Sequence, residues 1–122
     1  MKVLLSIKPE FAEKIFNGTK KYEFRKSIFK NKDVDTVVVY ASSPLQYVIG
    51  EFKIDTILND NVDRIWEQTH EFSGISEDFY RMYFAHKKSA FAIKIGRATR
   101  FKKHKLLSDY HIKFAPQSYV YL

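Results

Sequence analysis

Gly18-Thr19-Lys20-Lys21-Tyr22-Glu23-Phe24-Arg25 joins two kinds of periodicity within eight residues. Behind it, Phe11, Ala12, Ile15 and Phe16 recur at helical spacing after Pro9 at a first helical position and Glu10 in the first turn. Asn17-Gly18 then ends a short helix, with the glycine supplying the left-handed residue that stops it. Ahead of it the side chains alternate from Lys20 to Lys26. Tyr22 and Phe24 share one face and Lys21, Glu23 and Arg25 the other, which predicts a strand whose aromatics enter the core.

The same periodicities extend in both directions. Lys2 to Lys8 reads as a first strand, and the β-branched run Thr36 to Ala41 suits a buried strand closed by Ser42-Ser43-Pro44. Tyr47 to Leu58 predicts a longer strand with Val48, Phe52 and Ile54 on one side and Gly50 at a bulge or bend. Asp60 or Asn61 can cap a helix bearing Val62, Ile65, Trp66 and Thr69. Ser76 can cap another bearing Phe79, Met82 and Tyr83, with Gly74 between the two. Ala90 to Gly96, continued or paired by Arg97 to Lys103, and finally Ser118 to Leu122, complete five or six strands. No repeat or linker divides residues 1–122, so the expectation is a single α+β domain: a small mixed sheet or barrel with two to three peripheral helices.

Composition narrows the function classes. The chain has no cysteine, which excludes a disulfide framework and a thiolate zinc site and points to a reducing, cytoplasmic setting. No run approaches the roughly 18 apolar residues of a membrane helix, so no membrane partner is expected. The net charge is +7, and its placement is uneven. Residues 1–34 carry nine Lys or Arg against four acids, residues 35–79 two against nine, and residues 80–122 ten against one. Basic ends that meet in the fold would present a positive face to phosphate; a merely solvated surface is the plain alternative.

The polar face of the second strand is the candidate site. Glu23 and Arg25 lie two apart, hence on one side, and Lys20 leaves the glycine turn just before them. An Arg forks to paired oxygens, a Lys supplies a point charge, and a Glu accepts an N–H or a proton. Such a trio can grip a phosphate or a base edge, or it can be an ion pair on an exposed strand. Gln117, Ser118 and Tyr119 join the candidates, because a last strand beside the first would bring an amide, a hydroxyl and an aromatic ring to the mouth of the cleft. Lys21 adds a further cation. The four histidines show no metal-ligand spacing, so neither metal nor cofactor is expected. The nearness of Ser108, Asp109 and His111 is sequence chance, since triads assemble from separate elements.

Gly18-x-Lys20-x-x-Glu23-x-Arg25 resembles the signature of ASCH domains, a branch of the PUA-like superfamily. Tyr40-Ala41-Ser42-Ser43-Pro44, Gly50-Glu51-Phe52 and Pro116-Gln117-Ser118-Tyr119 extend the resemblance over nearly the whole chain. It implies a five- or six-stranded β-barrel whose cleft binds RNA or nucleotides. Some ASCH proteins are amidohydrolases that deacetylate acetylated cytidine nucleosides with a Lys, a Thr and a Glu. Lys20 matches the lysine, but Glu23 stands at the threonine position, and the glutamate position falls near Ser73, with Glu71 the nearest acid. Two functions therefore follow as expectations. One is a module that binds RNA or a nucleotide through Lys20, Lys21, Glu23, Arg25, Gln117, Ser118 and Tyr119. The other is an enzyme in which Lys20 and Glu23 deacetylate a modified nucleoside or cleave RNA without a metal.

Overall fold

The computed structural model describes every residue from Met1 to Leu122. Its strands are β1 (Lys2–Ile7), β2 (Tyr22–Arg25), β3 (Thr36–Ala41), β4 (Tyr47–Asn61), β5 (Ser89–Lys105) and β6 (Tyr119–Tyr121). They form one half-barrel sheet in the order β2-β5-β4-β3-β1-β6. β1 runs parallel to β3, and all other neighbours are antiparallel. Helices α1 (Pro9–Phe16), α2 (Val62–Thr69) and α3 (Glu77–Tyr83) pack on this sheet, and 3₁₀ turns occupy His70–Phe72 and Leu107–Tyr110. No helix is long and apolar enough to cross a membrane.

β3 explains the layering. Every one of its residues is buried, because both faces of the sheet are covered there. Val37 and Val39 join Val3, Leu5 and Ile15 in the main core under α1. Val38 and Tyr40 turn the other way, with Leu4, beneath Phe101, Leu107 and Tyr110. A third cluster, built on Phe24, Ile65, Tyr80 and Phe84, seats α2 and α3 against β2 and β5. Asn61 and Ser76 start these helices as the sequence predicts, their side chains accepting from Arg64 N and Phe79 N.

Two expectations are overturned. Val48 does not share a face with Phe52: it joins Leu4 and Val38, whereas Ile49 and Phe52 enter the main core. The register slips between Val48 and Gly50, and a slip of this kind transfers residues between faces. In α3, Met82 is 77% exposed and Tyr80 fully buried. The short helix docks on its Tyr80 side because the Tyr80 hydroxyl donates to Val62 O at 2.6 Å, tying α3 to the start of α2.

Gly50 marks the bulge because nothing larger fits. A Cβ there would lie 2.6 Å from both Phe16 Cζ and Thr99 O, and the second is backbone that cannot swing away. Gly50→Ala is therefore expected to destabilise the fold by about 1–3 kcal/mol, as over-packing does. Urea denaturation checks this; a midpoint equal to that of the unaltered chain contradicts the packing described.

Candidate functional site

The turn after α1 carries Lys20 inward. Gly18 has φ +86, and the amides of Thr19 and Lys20 both donate to Lys14 O, at 3.1 and 3.0 Å, wrapping the chain over the helix end. Lys21 then clamps the strand entry, with its N–H donating to Phe72 O at 2.8 Å and its carbonyl accepting from Ile95 N at 2.9 Å. Held between these anchors, the Lys20 side chain is only 2% exposed. Its Nζ donates to Ser73 O at 2.7 Å and lies 4.9 and 5.3 Å from the ring centroids of Phe24 and Phe11. Gly74 makes room for the stem, since a Cβ there would come 2.5 Å from Lys20 Cβ.

Arg25 stands at the other end of the site. β2 and β6 are the two edges of the sheet, and the Arg25 guanidinium spans the gap between them. Nη2 donates to Ser118 O at 2.8 Å; Nη1 donates to Ser6 O at 3.4 Å and to Glu23 Oε2 at 3.3 Å. The Ser6 hydroxyl donates in turn to Pro116 O at 3.0 Å. One side chain thus fixes β1, the approach to β6 and the Glu23 carboxylate together, and Glu23 is itself only 7% exposed.

Between these two cations lies a cleft of about 280 Å³. Lys20, Glu23, Arg25 and Gln117 line it, beside Ser6 and Lys8. Its other wall is aromatic. Phe11 meets Phe79 edge-on at 5.2 Å, and Phe79 and Tyr83 lie parallel within 9° at 6.5 Å between centroids. The cleft has room for one nucleobase or nucleoside, with rings to stack on and a carboxylate, an amide and two cations to orient it.

The remaining candidates fall outside this wall. Lys21 points to the Phe72 ring, 5.1 Å away. Ser118 contributes its backbone carbonyl to Arg25 rather than its hydroxyl to the cleft. Tyr119 packs edge-on against Phe29 at 6.1 Å, because β6 pairs with β1 in a register that turns this ring toward the main core. Conversely, Ser6 and Lys8 line the cleft without being candidates from the sequence, and Phe11, Phe79 and Tyr83, read from the sequence as core-facing helix residues, form its wall. Phe79 and Tyr83 sit four apart on a short amphipathic helix, a spacing shared by core and cleft walls alike.

Electrostatics separate the two cations. Burial pushes the Lys20 ammonium down from 10.5 to about 8, against the pull of Glu23 and with the help of Lys14. No carboxylate pairs with it directly, since Glu23 turns to Arg25. Burial also pushes the Tyr83 phenol up, leaving it a neutral hydrogen-bonding group on the cleft wall.

Comparison with known proteins places this geometry. The family model of the ASCH domain matches residues 5–98. An ASCH domain-containing ribonuclease from Zymomonas mobilis is 32% identical over 93 residues, covering 75% of this chain and 63% of that protein. The ATP synthase subunit alpha of Ureaplasma parvum is 31% identical over 121 residues, which cover 98% of this chain and 15% of that protein. Both chains are longer, so this one spans less than two thirds of the curated relatives it matches. Among solved structures, a serine-to-alanine variant of ZmASCH from Zymomonas mobilis superposes with a TM-score of 0.91 at 28% identity, covering 99% of this chain and 87% of that one.

The seam and the buried cation can each be tested by substitution. Arg25→Lys cannot reach all three acceptors, so it should cost about 2 kcal/mol or more by leaving buried oxygens unpaired. Amide exchange at Val120 and Leu122 should accelerate before exchange in β3 does; uniform exchange in the variant argues against a seam. Lys20 has a lower pKa folded than unfolded, so its burial opposes folding below pH 8 and ceases to do so above about 10.5. Lys20→Met should therefore gain up to ~3 kcal/mol at pH 7, less the loss of the Ser73 hydrogen bond. Melting temperatures should converge as pH rises from 8 to 10.5, and a difference independent of pH would contradict a penalised ammonium.

Proposed function

The chain belongs to the ASCH domain family, and from that premise we propose that residues 1–122 act as one RNA-binding unit that takes a single nucleotide into the cleft and cleaves the chain beside it. The observation that carries this reading is the buried Lys20, poised near neutrality in a nucleoside-sized cleft beside Glu23. The ribonuclease name of the Zymomonas relative supports it.

In this reading a base of a flexible RNA stacks on the wall formed by Phe11, Phe79 and Tyr83, and the Gln117 amide meets its edge. Glu23, oriented by Arg25, accepts the proton of the ribose 2′-hydroxyl. The 2′-oxygen attacks the adjacent phosphorus, and the Lys20 ammonium neutralises the phosphorane and protonates the departing 5′-oxygen. The products are a 2′,3′-cyclic phosphate and a 5′-hydroxyl. Every charge that develops meets a side chain, so the route is metal-independent. The same Lys20 and Glu23 could direct water at the acetyl group of an acetylated cytidine nucleoside; the absence of a hydroxyl at position 23 makes this the second reading.

Labelled single-stranded RNA incubated in EDTA should give 2′,3′-cyclic ends, at a rate that falls as pH rises through about 8 because the charged lysine is the acid. Lys20→Ala should slow cleavage by about 10²–10³-fold. Acetate release from acetylated cytidine without RNA cleavage transfers the assignment to the second reading. An absence of cleavage together with an absence of RNA binding sinks both RNA roles.

A further inference from the structure

β5 continues past its neighbour. β2 pairs with it only over Phe91–Lys94, and Ile95 N still bonds Lys21 O, but from Gly96 to Lys105 no strand covers that edge. This distal limb is about 30 Å of extended chain. All of its residues except Phe101 are exposed. It carries Arg97, Arg100, Lys102, Lys103 and Lys105 and no acid, and of these cations only Arg100 has an ion-pair partner, Glu13 at 2.8 Å.

The ladder brings the charges forward. Gly50 pairs with Arg100 and Val48 with Lys105, so residues 101–104 all oppose the single residue Ile49. Phe101 turns in against the Leu107 and Tyr110 cluster, and Lys102, Lys103 and His104 are left standing out from the sheet. At the far end the His104 ring lies 5.3 Å from Tyr47, an exposed aromatic pair among lysines. At the near end Gly96 and Ala98 line a second cavity of about 310 Å³ that Lys20 also borders. The limb therefore starts beside the Lys20 site.

Charge selects the direction of an incoming polyanion. α2 begins where Asn61 pairs with Ser89, at the opposite end of β5. Asp60, Asp63, Glu67, Glu77 and Asp78 gather on that side; Arg64 and Arg81 pair with three of them, and Glu67 and Asp78 are left to repel phosphate. On the distal limb Arg97, Lys102 and Lys103 have no ion-pair partner, Lys105 lies over the Phe101 ring at 4.6 Å, and Tyr47 with His104 supplies an aromatic platform, the combination that tracks a flexible single strand.

We propose that Gly96–Lys105 is the docking strip for the single-stranded RNA that flanks the nucleotide in the cleft, with phosphates on Arg97, Lys102, Lys103 and Lys105 and a base on Tyr47 and His104. The proposal rests on the RNA reading of the cleft and specifies where the rest of the strand lies. An acidic protein segment adding to the free edge is the competing occupant.

The test measures binding of a fluorescent 12-nucleotide oligouridylate to Lys20→Ala protein across a salt series. Because no turnover is needed, missing cleavage activity would discredit the cleft chemistry and leave this measurement standing. Replacing Arg97, Lys102, Lys103 and Lys105 together by Gln should weaken binding 10–100-fold near 0.1 M salt. The slope of log affinity against log salt should flatten by about 3, at roughly 0.7 for each phosphate no longer neutralised. The Lys102→Gln, Lys103→Gln pair should give about half that change, and Tyr47→Ala should lower affinity with the slope unaltered. Replacing Lys30 and Lys32, which lie outside the strip, should leave the slope as it was. Equal slopes in the quadruple variant and this control overturn the proposal. So does oligoglutamate that binds the strip while RNA affinity is indifferent to its charge.

Discussion

A half-barrel with six strands has two edges, and in this chain a single guanidinium holds them in register. Arg25 projects from β2 onto Ser6 of β1 and onto Ser118 at the entrance to β6, so the seam is closed by a side chain where backbone pairing stops. A planar fork with fixed N–H directions suits this task, since three oxygens at different angles must be met at once. Much else follows from it. Glu23 takes its orientation from the same guanidinium, Gln117 is brought to the cleft rim by the segment that Arg25 holds, and α3 closes the far wall over the resulting groove. The residue that the sequence suggests as a phosphate ligand is first of all a structural clasp.

Lys20 shows the opposite balance. Its ammonium receives one backbone carbonyl and two ring faces in exchange for water, and no direct carboxylate partner. That environment disfavours the charge, which is why its proton is held weakly. A fold under selection for stability alone would place an apolar residue between Phe11, Phe24 and Gly74. A desolvated cation there is the feature on which the proposed cleavage chemistry relies, because it can give up a proton or meet a transient negative charge.

Much of this was legible in the sequence, and the parts that were not have physical causes. Pro9, Gly18 and the alternation from Tyr22 to Arg25 state the helix, the turn and the strand locally, and Asn61 and Ser76 state their caps. The grouping of Lys20, Glu23 and Arg25 was readable because a single turn and strand carry all three. Their burial was not, because it depends on Gly74 and Ser73, which are more than fifty residues away. Val48 and Met82 were misplaced for a related reason: a bulge resets face parity in β4, and a two-turn helix has too few residues for its periodicity to choose a side. Ser118 and Tyr119 reach the right neighbourhood and present the wrong atoms, since β6 pairing settles which way they point.

The spacing of the glycine, lysine, glutamate and arginine can then be understood as one geometric requirement. The glycine must end α1 tightly enough for Lys20 to fold back beneath that helix, and Lys21 must spend its backbone on Phe72 and Ile95 to keep it there. From that clamp, strand alternation delivers residues 23 and 25 to the groove and residue 24 to the aromatic cluster beneath α3. Moving Glu23 by one position would aim it at the cluster of Tyr80 and Phe84, where no water could compensate it, whereas positions 19, 21 and 26 beside Lys20 and Arg25 face solvent and lie outside the groove. Such a motif is short because the helix end, the clamp and the strand leave only one register in which all three polar groups face the same small volume.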